Sequence, residues 1–127
     1  MQTKISHLSD LKFNLETWRR ELRFHFNEMD TFEEQLEEIA ARKYNKNAAI
    51  QIEQFQNRIL LEKDAIAKLK HRCKNKMAIL NKLNFCEDVD ARYRSEHRPL
   101  MKDMRTYIKM HYELKEEMMA FFLNWLE

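Results

Sequence analysis

The chain has 127 residues, no glycine, a single proline (Pro99) and two cysteines, and Lys+Arg 23 against Asp+Glu 21 leave a formal net charge of +2. Without glycine there is little material for tight turns, left-handed helix caps or phosphate-cradling loops, and nucleotide folds built on such loops are set aside. Charged residues make up 35% of the chain, yet they nearly cancel, which suits interlocking charged helix faces better than disorder or a purely basic nucleic-acid arm.

Few β-branched residues accompany many Leu, Met, Glu, Lys, Arg and Gln, so the expected class is all-α. The length fits one domain, residues 1–127, with a modest core. No run approaches the roughly 18 apolar residues of a membrane span. The N-terminal MQTKISHLSDLK has no uninterrupted apolar signal core, and the expected location is the cytoplasm, with no membrane partner.

The first element is organised by a stripe: Leu8, Leu11, Leu15, Trp18, Leu22, then, past His25, Met29, Phe32, Leu36 and Ile39. Its steps alternate 3 and 4, a heptad seam that needs partner helices to cover it. This helix is expected over about 6–44, capped by Ser6 or Ser9 and ending near Tyr44, where Asn45-Lys46-Asn47 supplies the turn. The second helix, from about 47, carries Ile52, Phe55, Ile59, Ile66, Leu69, Cys73, Met77, Leu80 and Leu83, with Glu62 and Lys76 interrupting the seam.

Two placements of the next break stay open. Either helix 2 ends near 84 and helix 3 runs over about 88–126, with Asp88 and Asp90 at its start, or helix 2 continues to 94 and helix 3 opens at 96. The stripe Cys86, Val89, Tyr93, His97 is helical in both. Pro99 then bends an early turn or sits in the first one, where its missing N–H costs little. Helix 3 has the clean seam Leu100, Met104, Tyr107, His111, Leu114, Met118, Phe121 and Trp125. Short connections imply antiparallel neighbours: an elongated up-down-up three-helix bundle with coiled-coil-like packing, about 55 Å long.

Three histidines, His25, His97 and His111, fall in the seams, and antiparallel counting brings Glu62 near His111 with His25 and Tyr107 one turn away. A carboxylate and two imidazoles in a core can bind zinc or iron, so His25, Glu62 and His111 are the candidate ligands. The expected reading is nonetheless a hydrogen-bonded register layer with no metal or cofactor, since no histidine has a carboxylate three residues before it and no His-x-x-x-His pair occurs. Cys73 has His71 nearby, but residues two apart on a helix diverge, so nucleophilic catalysis is not expected. On one long helix Cys73 and Cys86 would lie about 20 Å apart, beyond disulfide reach.

Several large apolar residues lie off the seams. Phe13 and Phe24 share an outer face of helix 1, nearly three full turns apart, and Ile50, Leu60, Leu61 and Phe122 are also off-stripe. Phe13, Phe24, Leu60, Leu61 and Phe122 are the expected interface, most simply of a homodimer. The candidate basic surface is Arg19, Arg20, Arg23, Lys68, Lys70, Arg72, Lys74, Lys76, Arg98, Lys102 and Arg105. Residues 1–27 and 65–109 carry 17 basic against 8 acidic groups, +9, whereas 28–64 and 110–127 carry 6 against 13, −7. The expected function is a non-enzymatic protein-interaction or assembly module that self-associates. The alternatives are a nucleic-acid-associated protein, or one binding an acidic partner, through the basic end, and a metal-binding bundle.

Overall fold

A computed structural model describes residues 2–42, 45–82 and 90–125, with side chains described over 9–42, 45–82 and 97–125. All described residues except Asn45 and Lys82 lie in three helices: α1 (Gln2–Arg42), α2 (Lys46–Asn81) and α3 (Asp90–Trp125). Among the described residues there is no strand, and no helix is long and apolar enough to cross a membrane. Each helix packs against the other two, with α1 and α2 in the closest approach, so the fold is an all-α helical bundle. At 1.5 Å per residue the 41-residue α1 spans about 60 Å.

The helix ends are built without glycine. Asn45 is extended (φ −144°, ψ 128°), and its Oδ1 accepts from the N–H groups of Asn47 and Ala48 at 2.9 and 3.2 Å. Two N–H groups that the first turn of α2 would leave open are thereby satisfied. At the other end the Lys82 N–H turns back to the Ile79 carbonyl at 3.1 Å, tightening the last turn without a left-handed residue. Among the described residues no backbone φ is positive.

Three expected boundaries are corrected. Ser6 and Ser9 do not cap α1, because the helix already runs from Gln2; no glycine or proline precedes the stripe to stop it. Helix 2 does not reach 94: Lys82 closes it, and residues 90–94 belong to α3. An opening of helix 3 at 96, with Pro99 in its first turn, is likewise overturned, since Pro99 is the tenth residue of α3 and removes one rung of its hydrogen-bond ladder. The expected turn over 84–88 and the positions of Tyr44, Leu83, Cys86 and Val89 lie outside the described residues, as do the side chains of Leu8 and Tyr93.

The seam residues form the core. Leu11, Leu15, Trp18, Leu22, Ile66, Leu69, Cys73, Met77, Leu80, Leu100, Met104 and Tyr107 make one buried cluster. Met29, Phe32, Leu36, Ile39, Ile52, Ile59, Leu114, Met118, Phe121 and Phe122 make another. Phe122 corrects the expected interface: it is only 2% exposed, against Phe32 at 5.8 Å between ring centroids. Residues 121 and 122 both turn inward, because the apolar face of α3 widens beyond the strict seam near its end.

Cross-helix pairs order the helices against one another. Between α1 and α3 the partners rise together: Asn14 with His97, His25 with Tyr107, Phe32 with Phe122. Between α2 and α3 they run oppositely: Arg72 with Asp103, Glu62 with His111, Arg58 with Glu117.

Candidate functional site

Between the two apolar clusters lies a polar layer. Its members arise where the seams carry polar residues: His25 on α1, Glu62 on α2, and Tyr107 with His111 one turn apart on α3. Helical spacing adds Glu21 and Glu28, one turn on either side of His25. His25 is 2% exposed and His111 fully buried, and their rings stack at 3.6 Å between centroids with planes 8° apart.

Both Nδ1 atoms are engaged. His25 Nδ1 is hydrogen-bonded to the Tyr107 hydroxyl at 2.8 Å, and His111 Nδ1–H donates to Glu62 Oε2 at 2.8 Å. Whenever His111 is neutral, that second bond places its proton on Nδ1 and leaves a lone pair at Nε2. This Nε2 lies 3.3 Å from Glu28 Oε1, and both atoms are buried without a hydrogen-bond partner. His25 Nε2 is 3.7 Å from Glu21 Oε1. The other oxygen of Glu28 accepts from Lys115 Nζ at 2.6 Å. Tyr112 closes the layer edge-on, its ring centroid 5.9 Å from that of His25 and 5.2 Å from that of His111.

Burial sets the protonation of His25 and Tyr107. It pushes the His25 imidazole down to about 4, helped by His111 and Lys115 and opposed by Glu28. Burial also drives the Tyr107 phenol far above its ordinary value, reinforced by Glu62, Glu21 and Glu28, so it stays a neutral hydroxyl. Outside the layer, His97 is lowered by burial and by Lys76; it stacks on Trp18 at 5.2 Å and bonds Asn14 at 2.9 Å.

No family model, curated protein or solved structure matches this chain.

His25, Glu28 and His111 offer ligand atoms all within 4.8 Å of one another. The expected set was His25, Glu62 and His111, and these three do come together. Glu62, however, is hydrogen-bonded to Nδ1 of His111, opposite the Nε2 that faces Glu28. Glu28 was missed. The signal was present as His25-x-x-Glu28, the reverse of the Glu-x-x-His order sought in the sequence.

Cys73 is a buried free thiol whose pKa burial raises against the pull of Arg19, Arg72 and Lys76, so it is not an activated nucleophile. Phe13, Phe24, Leu60 and Leu61 stand exposed, Phe13 at 66% and Phe24 at 61%. Of the basic set, Arg72 pairs with Asp103 across helices and Lys68 with Asp64 along α2. Arg20, Arg23, Lys74, Arg98, Lys102 and Arg105 are exposed and pair with no carboxylate among the described residues. The remaining members, Arg19, Lys70 and Lys76, are half-buried. Exposed Met110, Tyr112, Met119 and Leu123 on α3 add apolar surface that no seam argument had singled out.

Proposed function

We propose that the protein is a single up-down-up bundle, packed by its heptad seams, that acts as a non-enzymatic assembly module and self-associates in the cytoplasm. The order of the cross-helix pairs supports that topology, and the buried seam positions support the packing. The observation that carries the functional reading is the pair Phe13 and Phe24, exposed on one outer face of α1. Two large aromatics spaced by nearly three turns on an otherwise polar face are costly to leave in water.

The preferred occupant of that face is a second copy, set antiparallel. Each copy has ends of opposite charge, +9 and −7 by sequence, and an antiparallel pair places the basic end of one beside the acidic end of the other. Aromatic burial would supply most of the affinity, and charge the orientation and on-rate. Sedimentation or light scattering over a concentration series tests this. A dimer is expected that Phe24→Glu dissociates, whereas neutralising any one arginine changes little. A monomer up to about 100 µM, with Phe24→Glu making no difference, overturns the dimer. Exposed Arg20, Arg23, Lys74, Arg98, Lys102 and Arg105, which pair with no carboxylate among the described residues, favour a second reading, a polyanionic partner such as nucleic acid, which salt-dependent binding to a duplex would support.

A further inference from the structure

We infer that the buried layer is a binding site for a first-row divalent metal ion, with His25, His111 and Glu28 as its protein ligands. Two acceptors face each other in this layer. In neutral His111, with Nδ1–H donating to Glu62, Nε2 has only a lone pair, and 3.3 Å away stands Glu28 Oε1, which has only lone pairs too. Both atoms are buried and unsatisfied. A buried pair of this kind is costly unless something positive lies between them. In a tetrahedral zinc site, bonds of about 2.0–2.2 Å place ligand atoms about 3.4 Å apart, which the 3.3 Å separation already matches.

A proton is the competing occupant. That proton would sit on His111 Nε2 and bridge to Glu28 Oε1 at 3.3 Å, and the titration below separates the two occupants. A metal uses both rings as neutral ligands, and because it lies near the plane of each imidazole it binds, the rings turn out of their parallel stack on binding. The carboxylates around them, Glu21, Glu28 and Glu62, outnumber the one lysine, Lys115, leaving a formal −2 that a divalent cation balances.

The surroundings also have the form of a supporting shell. Nδ1 of each candidate histidine is held from behind, by Tyr107 on His25 and by Glu62 on His111, which orients both rings. Lys115 holds the second oxygen of Glu28. Glu21, at 3.7 Å from His25 Nε2 and partly exposed, is placed to give a fourth ligand or to orient a water there. Two imidazoles and a carboxylate suit zinc, cobalt, nickel or ferrous iron and do not suit calcium or magnesium, which prefer all-oxygen sites. This goes beyond the assembly reading and does not depend on it. It also departs from the metal-free layer expected from the sequence.

The test is titration of the full chain, stripped with chelator, with Zn²⁺ alone by calorimetry, and with Co²⁺ by visible absorption. One equivalent per chain is expected, with a rise in Tm and the ligand-field bands of a low-coordinate Co²⁺ site. Glu28 lies at the edge of the layer, so Glu28→Gln keeps the fold; it should weaken zinc by about 100-fold or more and change the cobalt spectrum. Glu62→Gln, which touches no metal, should cost about 10–100-fold. His71→Gln, on an exposed position, should have no effect. Absence of saturable binding overturns the site, as does affinity unchanged in Glu28→Gln or lost in a Cys73→Ser, Cys86→Ser variant, which would mark capture by thiols.

Discussion

At the scale of single residues, His25 is the most informative group. Its imidazole is held near 4 in the folded state against about 6.5 unfolded, so the unfolded chain binds the proton first. Stability is then fully present above about 6.5 and is lost as pH falls toward 4, by up to about 3 kcal/mol for this group. His97, also depressed by burial, adds loss in the same direction. Denaturant melts of chelator-treated protein should show this slope, and His97→Gln should flatten it in part; stability constant from pH 7 to pH 5 would contradict the buried neutral imidazoles. That His25, Glu62 and His111 meet was legible from seam counting. Glu28 lies off the seam, one turn beyond His25, so counting along the stripe passes over it, although its spacing from His25 is visible in the sequence.

At the scale of the helices, periodicity was the strong signal and boundaries were the weak one. The stripe from Leu11 to Ile39 and that from Leu100 to Phe121 bury as spacing requires, since a 3-4 repeat has one face and that face has nowhere else to go. Helix ends depend instead on single capping residues. Asn45 was readable as the turn, while the start of α1 was not, because serine is compatible with both a cap and a helix interior. Leu22 and Leu114 each occupy one of the two apolar clusters. Truncating either to alanine should cost about 2–5 kcal/mol, read as a shift in denaturant midpoint at constant slope. A loss below about 1 kcal/mol would mean that the seam is not the core.

At the scale of the whole molecule, charge and core divide the bundle in much the same way. The segments of the cluster around Leu15, Leu69 and Met104 belong to the basic part of the sequence, and those around Leu36, Ile59 and Met118 to the acidic part. If that dipole orients an antiparallel dimer, raising salt should slow association while changing the final dimer fraction less, because the aromatic contact is not screened. Stopped-flow mixing at two ionic strengths measures this directly. An association rate indifferent to salt would separate the charge pattern from assembly.

The polar layer that separates the two apolar clusters also gives the bundle a seam across which cooperativity is weakest. Apolar packing transmits stability from turn to turn, but at this level the blocks are joined by hydrogen bonds and stacked rings. Each block is then expected to open as its own unit. Amide hydrogen exchange in the metal-free protein should resolve two plateaus of protection, one over residues 11–22, 66–80 and 100–107, the other over 29–39, 52–59 and 114–122. Zinc, by tying α1 to α3 at the joint, should merge them into a single global opening.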